Sequence, residues 1–225
     1  MKTILGVWGI NMKRSSRPYL ITGIFVAVCL ATAILQLCKL PVSGPPLGDS
    51  VFVLPICMAI FVPALNMTKI MNLGATRMDI AKGSFLTYAG TVVATTLISL
   101  ILYYLVDRPL VTTDIPSLIL WDVFGFLAHG PVVGFLQMAA FFFLFSCVLH
   151  TLTLCQGHWY GWVADVAIVA VISVFSSIPV LRKALVWFFD LIIFNPQPAM
   201  QILACLLIGM VVYAASFVPI ATKPI

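Results

Sequence analysis

Few side chains in this sequence could do chemistry, and their spacing narrows the options. Cys147-Val-Leu-His150 and Cys155-Gln-Gly-His158 form two C-x-x-H pairs eight residues apart, and four N/S ligands suit zinc. Cys147 and His150 sit inside a continuous apolar run, however, so incidental spacing is the preferred reading and no metal is expected. Asp165 lies about one helical turn inside another apolar run, within reach of the headgroups, where an interfacial anchor outweighs a gate. Glutamate is absent, which removes glutamate-based metalloprotease motifs and glutamate proton relays. No G-x-x-x-x-G-K-[ST] phosphate loop occurs, so this chain cannot hydrolyse ATP by that route. The six cysteines contain no C-x-x-C pair, and most behave as small buried hydrophobes rather than a disulfide framework.

The elements that must carry these residues are membrane spans. Apolar residues make up 62% of the 225 and charged residues 8%, with a mean hydropathy of +1.14. A soluble domain is nearer a quarter charged, so a monomeric soluble globule is excluded. Crossing the hydrocarbon core takes about 20 helical residues. Six runs qualify, near residues 19–38, 51–70, 84–106, 131–152, 162–181 and 199–218. The fold class is therefore an all-α integral membrane protein with a single transmembrane domain. Residues 115–130 are apolar too, but Asp122, His129 and Gly130-Pro131 interrupt them, which favours an interfacial or re-entrant segment over a seventh span. Within Gly130-Pro-Val-Val-Gly134 the proline favours a helix break over close helix pairing.

Charge sets the orientation. With the N-terminus inside, eight cations are cytoplasmic (Lys2, Lys13, Arg14, Arg17, Lys69, Arg77, Lys82, Lys223) and four are outside. This predicts a multi-pass protein with both termini cytoplasmic. Ala31-Thr-Ala33 resembles a signal-peptidase site, but the apolar run continues past it, so an uncleaved first span is expected. Ahead of that span, Ile4, Leu5, Trp8 and Met12 share a helical face and Lys13, Arg14 and Arg17 follow. Residues 1–18 are therefore expected to form an interfacial helix whose cations meet anionic membrane lipid. The net charge of +5 reads as topology. No basic stripe with interleaved aromatics calls for nucleic acid.

The most informative stretch is the loop after the second run, with an N-L-G-A-T-R-x-D core from Asn72 to Asp79. Gly74 permits a turn, Thr76 can cap a helix, and Asp79 falls in that helix's first turn. A short helix lying across the membrane face is expected here, presenting Arg77 and Lys82 to the cytosol. The G-x-T-R-x-D-x-x-x-G pattern, the N-terminal amphipathic segment and the six runs together resemble the permease subunit of bacterial type-2 ABC exporters, built like those that serve peptide, antibiotic and toxin export. That resemblance implies a plasma-membrane exporter whose ATP and Mg are bound by a separate ABC ATPase subunit, with a second permease chain completing a dimer. It implies a coupling helix that docks on the ATPase and carries Gly74, Thr76, Arg77, Asp79, Lys82 and Gly83. It further implies short outward helices capping the exit between the last two runs, where Arg182, Lys183 and Asp190 lie. The chain would hold no cofactor and no catalytic residue of its own.

Phe141, Phe142 and Phe145 are candidates for an apolar substrate path, with lipid-facing bulk as the plainer reading. Uncharged spans suit an amphipathic peptide, a lipid or a hydrophobic drug. Two other classes stay open. A self-sufficient channel or secondary carrier would need ionisable groups at the membrane midplane, and the centres of the runs offer none. A membrane-embedded transferase would need His and Asp clustered on one face, whereas His129, His150, His158, Asp122 and Asp165 divide between the two sides.

Overall fold

The computed structural model describes residues 2–38, 40, 44–110 and 118–222, and among these it is helical with short turns. Chain order gives α1 Lys2–Arg14, α2 Ser16–Leu37, α3 Leu47–Ser50, α4 Val53–Phe61 and α5 Met67–Asn72, with a π-turn at Val62–Asn66. There follow α6 Arg77–Leu102, a second π-turn at Tyr103–Asp107, α7 Arg108–Leu110, α8 Leu120–Val123 and a 3-10 turn at Phe126–His129. The chain continues with α9 Pro131–Cys155, α10 Trp159–Ser177, α11 Pro179–Ile192, α12 Pro198–Ala215 and α13 Phe217–Thr222. Among the described residues, five helical stretches are long and apolar enough to cross a membrane: Ser16–Leu37, Leu47–Asn72, Arg77–Leu110, Pro131–Cys155 and Pro198–Ile220.

The run near 162–181 departs from the expected straight span. Its helix ends at Ser177, Ile178 is extended, and Pro179 opens α11. The cause is local: a residue before proline is pushed out of the helical region, and proline suits the first helical turn, where its missing N–H is not needed. The two halves meet at 115°. Residues 179–192 are thus a second helix with Arg182, Lys183 and Asp190 exposed on it, and the fifth run stops at Ser177 rather than continuing straight to Leu181.

α9 and α12 form the most extensive helix pair among the described residues. A Cβ on Gly209 would stand 3.3 Å from Cα of Leu144, and Thr151 donates to the carbonyl of Val212. Phe52, Met58, Tyr88, Trp121, Met138, Phe142 and Tyr213 make the central core. α6 turns a row of Gly83, Thr87, Thr91, Thr95 and Ser99 inward, all buried. The three threonine hydroxyls each donate to the carbonyl four residues back at 2.8 Å. Small side chains let neighbours approach closely, and self-satisfied hydroxyls avoid stranding a polar group in hydrocarbon.

The bundle has two polar ends. At the Gly74 end, Val7, Ile70, Ile80, Leu154 and Ile220 share one cluster, which brings α1, α5, α6, α9 and α13 together. At the Trp121 end, Ile192 packs beside Ala140 and Cys205, and Phe124 meets Phe194. α9 therefore finishes at one end and α12 starts toward the other, with α10 and α11 joining them. α9 itself begins where Gly130, at φ +96°, turns the chain into Pro131, as the proline led one to expect.

Candidate functional site

At the Gly74 end the turn between α5 and α6 is built from local chemistry. Gly74 takes φ +83°, a left-handed conformation that favours glycine. Thr76 is then extended and accepts from the backbone N–H of Asp79, while the Asp79 carboxylate accepts from the backbone N–H of Thr76. This reciprocal capping box satisfies two helix-start donors. The separate helix lying across the membrane face is corrected: Arg77 begins a continuous 26-residue helix, and Thr76 caps that whole helix. No residue between Asp79 and Ser84 interrupts it, since one glycine costs only about 1 kcal/mol in a helix. Residues 77–82 are thus the first turns of a long helix of about 39 Å, and the short helix lies before the turn, as α5.

Gly74, Thr76 and Lys82 are exposed, and Arg77 and Asp79 half-buried. Gly83 points the other way, buried against α1, where a Cβ would stand 2.7 Å from Cβ of Val7. α1 is clamped there by a polar lock that the sequence reading missed. Asn11, fully buried, donates to Thr87 Oγ1 at 3.3 Å; Asn66 Nδ2 donates to Asn11 Oδ1 at 3.4 Å and to Ser15 Oγ at 3.1 Å. Val7, Asn11 and Ser15 form the face turned to the bundle, whereas Leu5 and Trp8 from the expected apolar face are exposed. Leu5 and Trp8 thus turn away from the bundle. An asparagine recurring four residues after Val7 was the available clue to the inward face.

The opposite end is held by carboxylates. Asp107 accepts from the backbone N–H groups of Leu47 and Gly48 at 2.8 and 2.7 Å. Asp49 accepts from Leu120 N at 2.9 Å, and Tyr103 donates its hydroxyl to Asp122 at 2.8 Å. Trp121, fully buried, donates to Ser99 Oγ at 2.9 Å, so the short 118–130 segment is pinned onto the helix ends. Only residues 118–130 of the expected 115–130 segment lie within the described residues.

Phe142 is buried and stacks on Phe52 at 4.0 Å, whereas Phe145 is exposed and Phe141 meets Phe124 edge-on. Phe141 also meets Phe142 edge-on and stacks on Phe145, which joins the three in one aromatic cluster. An apolar groove of about 310 Å³ does run between α6, α9 and α12, and Phe143, not its neighbours, forms its wall with Phe85 and Val92. Of the C-x-x-H pairs, Cys147 and His150 are buried. His150 Nδ1 lies 2.7 Å from the Tyr88 hydroxyl, and its ring stacks on Tyr213. Among the described residues no three metal-ligating side chains converge. Asp165 accepts from Gln156 near the start of α10. No family model, curated protein or solved structure matches this chain.

Proposed function

We propose that the chain is the membrane-spanning permease subunit of an ATP-driven exporter in a bacterial plasma membrane, working as a pair of permease chains with a separate ABC ATPase. One observation carries this reading. The Gly74 turn runs without a break into α6, which bonds to α1 through Asn11 and Thr87 and packs with α1 and α5 in one apolar cluster. A partner pushing on Arg77 or Lys82 would therefore move a long helix and its neighbours as one body. The sixth crossing is assigned to α10, since α9 ends and α12 begins at opposite ends of the bundle and the chain between them must travel that depth. Six crossings return Ile220 to the side of Val7, and the cation excess puts that side in the cytosol. α11 then lies on the outer side as the expected cap. The cargo class is an amphipathic peptide, lipid or hydrophobic drug, in keeping with the uncharged helices.

The carrier alternative gains one observation: His150 is an ionisable side chain within α9, and its Nε2 is buried without a hydrogen-bond partner. Buried ionisable groups in spans serve proton relays in many carriers.

A mild-detergent pull-down of the tagged chain, co-expressed with its genomic neighbours, tests the two. The exporter reading expects a stoichiometric P-loop ATPase that hydrolyses ATP. A homo-oligomer without nucleotide turnover overturns it. Within the exporter reading, Arg77→Glu is expected to weaken ATPase association at least tenfold while leaving the thermal unfolding of the chain unchanged. Normal co-purification in that variant would remove Arg77 from the docking surface.

A further inference from the structure

We propose that the cleft between the α1–α2 junction and the α4–α5 bend holds the phosphate of an anionic phospholipid headgroup. The cleft has a volume of about 270 Å³. Arg14 and Arg17 enter it from either side of the one-residue break at Ser15, and Lys69 enters from α5. All three are exposed, and no carboxylate lines the cleft. Three convergent cations without a local acid leave a positive field that an anion would neutralise.

The floor is built rather than incidental. Ser15 is buried, and its Oγ accepts from Asn66, which leaves the hydroxyl its own proton to donate. The 22-residue helix α2 starts in this lining at Ser16 with no side-chain cap, so its first N–H groups and the positive end of its dipole add to the same field. Pro18, Phe61 and Leu65 line the remaining wall. Pro18 and Phe61 belong to helices apolar enough to cross a membrane, so the wall leads from headgroup depth toward hydrocarbon. A phosphate in the cleft with an acyl chain along that wall satisfies both halves, whereas a soluble phosphate uses only the first. Basic pockets between spans on the cytoplasmic side recognise anionic headgroups in this way. The site rests on the membrane placement of α2 and α4 and needs no ATPase, so its failure and that of the exporter reading are separable.

The test is native mass spectrometry of the whole chain, released from nanodiscs of equal dioleoyl-phosphatidylglycerol and dioleoyl-phosphatidylcholine. One phosphatidylglycerol per chain is expected to survive release in preference to phosphatidylcholine. The triple variant Arg14→Ala, Arg17→Ala, Lys69→Ala should lower that retention about 100-fold, each cation contributing about fivefold. The charge-matched variant Arg108→Ala, Arg182→Ala, Lys183→Ala should retain the lipid. Should the triple variant fail to fold, exposed Lys69→Ala alone gives the fivefold loss and Lys69→Arg restores it. Equal retention of both lipids, or unchanged retention in the Lys69 and triple variants, overturns the proposal. Displacement by glycerol 1-phosphate at concentrations comparable to the lipid overturns the lipid source and assigns the cleft to a soluble phosphate.

Discussion

Val62–Asn66 and Tyr103–Asp107 are both π-turns, one near the Gly74 end of the molecule and the other at the Trp121 end, and each closes on a polar side chain. Their surroundings differ in kind. Asn66 spends both protons of a neutral amide on Asn11 and Ser15, side chains of the N-terminal helix and its junction. Asp107 spends a carboxylate on two backbone N–H groups at the start of α3. A Cβ at Gly48 would stand 2.7 Å from the Asp107 carboxylate, so that bond also depends on glycine opposite it. One end is thus locked by neutral side chains, while at the other end Asp107 and Asp49 hold backbone N–H groups and Asp122 holds the Tyr103 hydroxyl. The exposed cations Arg14, Arg17 and Lys69 accompany the first arrangement, and the buried Asp107 the second.

Substitutions can break this comparison in a graded way. Asp107→Ala should have the largest effect, about 4 kcal/mol, because it removes two charge-assisted bonds and strands two buried donors. Thermal unfolding in detergent reads it, and Asp107→Asn should recover part of the loss by keeping one acceptor. Gly83→Val should cost about 2 kcal/mol by overpacking α1 against α6. Limited proteolysis should then cut within Lys2–Arg14, and adding Val7→Gly, which removes the opposing Cβ, should restore protection. Asn66→Ala should cost about 1 kcal/mol, as neutral bonds between helices in membranes are weak. If it matched Asp107→Ala, the contrast between the two ends would be wrong. Thr76→Ala should have the smallest effect, below about 1 kcal/mol, since its capping box is exposed. Its readout is faster amide exchange in the first turn of α6.

The legible parts of the fold share a cause. Gly74, Thr76 and Asp79 act on their own backbone within six residues, so the turn and the cap could be placed from the sequence. What followed the cap could not: helix start signals do not state helix length, and α6 proved continuous where a short helix was expected. The break at Ile178-Pro179 carried its signal in plain view, yet hydropathy over a span-length window averaged across it. Hydropathy also cannot rank one phenylalanine above its neighbour, so the run Phe141-Phe142-Phe143-Leu144-Phe145 did not single out Phe143 as the wall of the groove. The polar lock at the Gly74 end, Asn11 to Asn66 to Ser15, spans sequence separations of 51 to 55 residues and has no local signature.

Composition and periodicity by themselves determined that this chain is helical, apolar and long enough to cross a membrane several times. They also placed the turn at Gly74 and the helix break at Gly130-Pro131, because turn residues act locally. Only the tertiary structure decided which face of each helix looks inward, that three cations from two separate segments share one cleft, and that amides hold one end while carboxylates hold the other. Those outcomes depend on contacts between residues far apart in the chain, and a sequence window holds no information about what lies across the bundle.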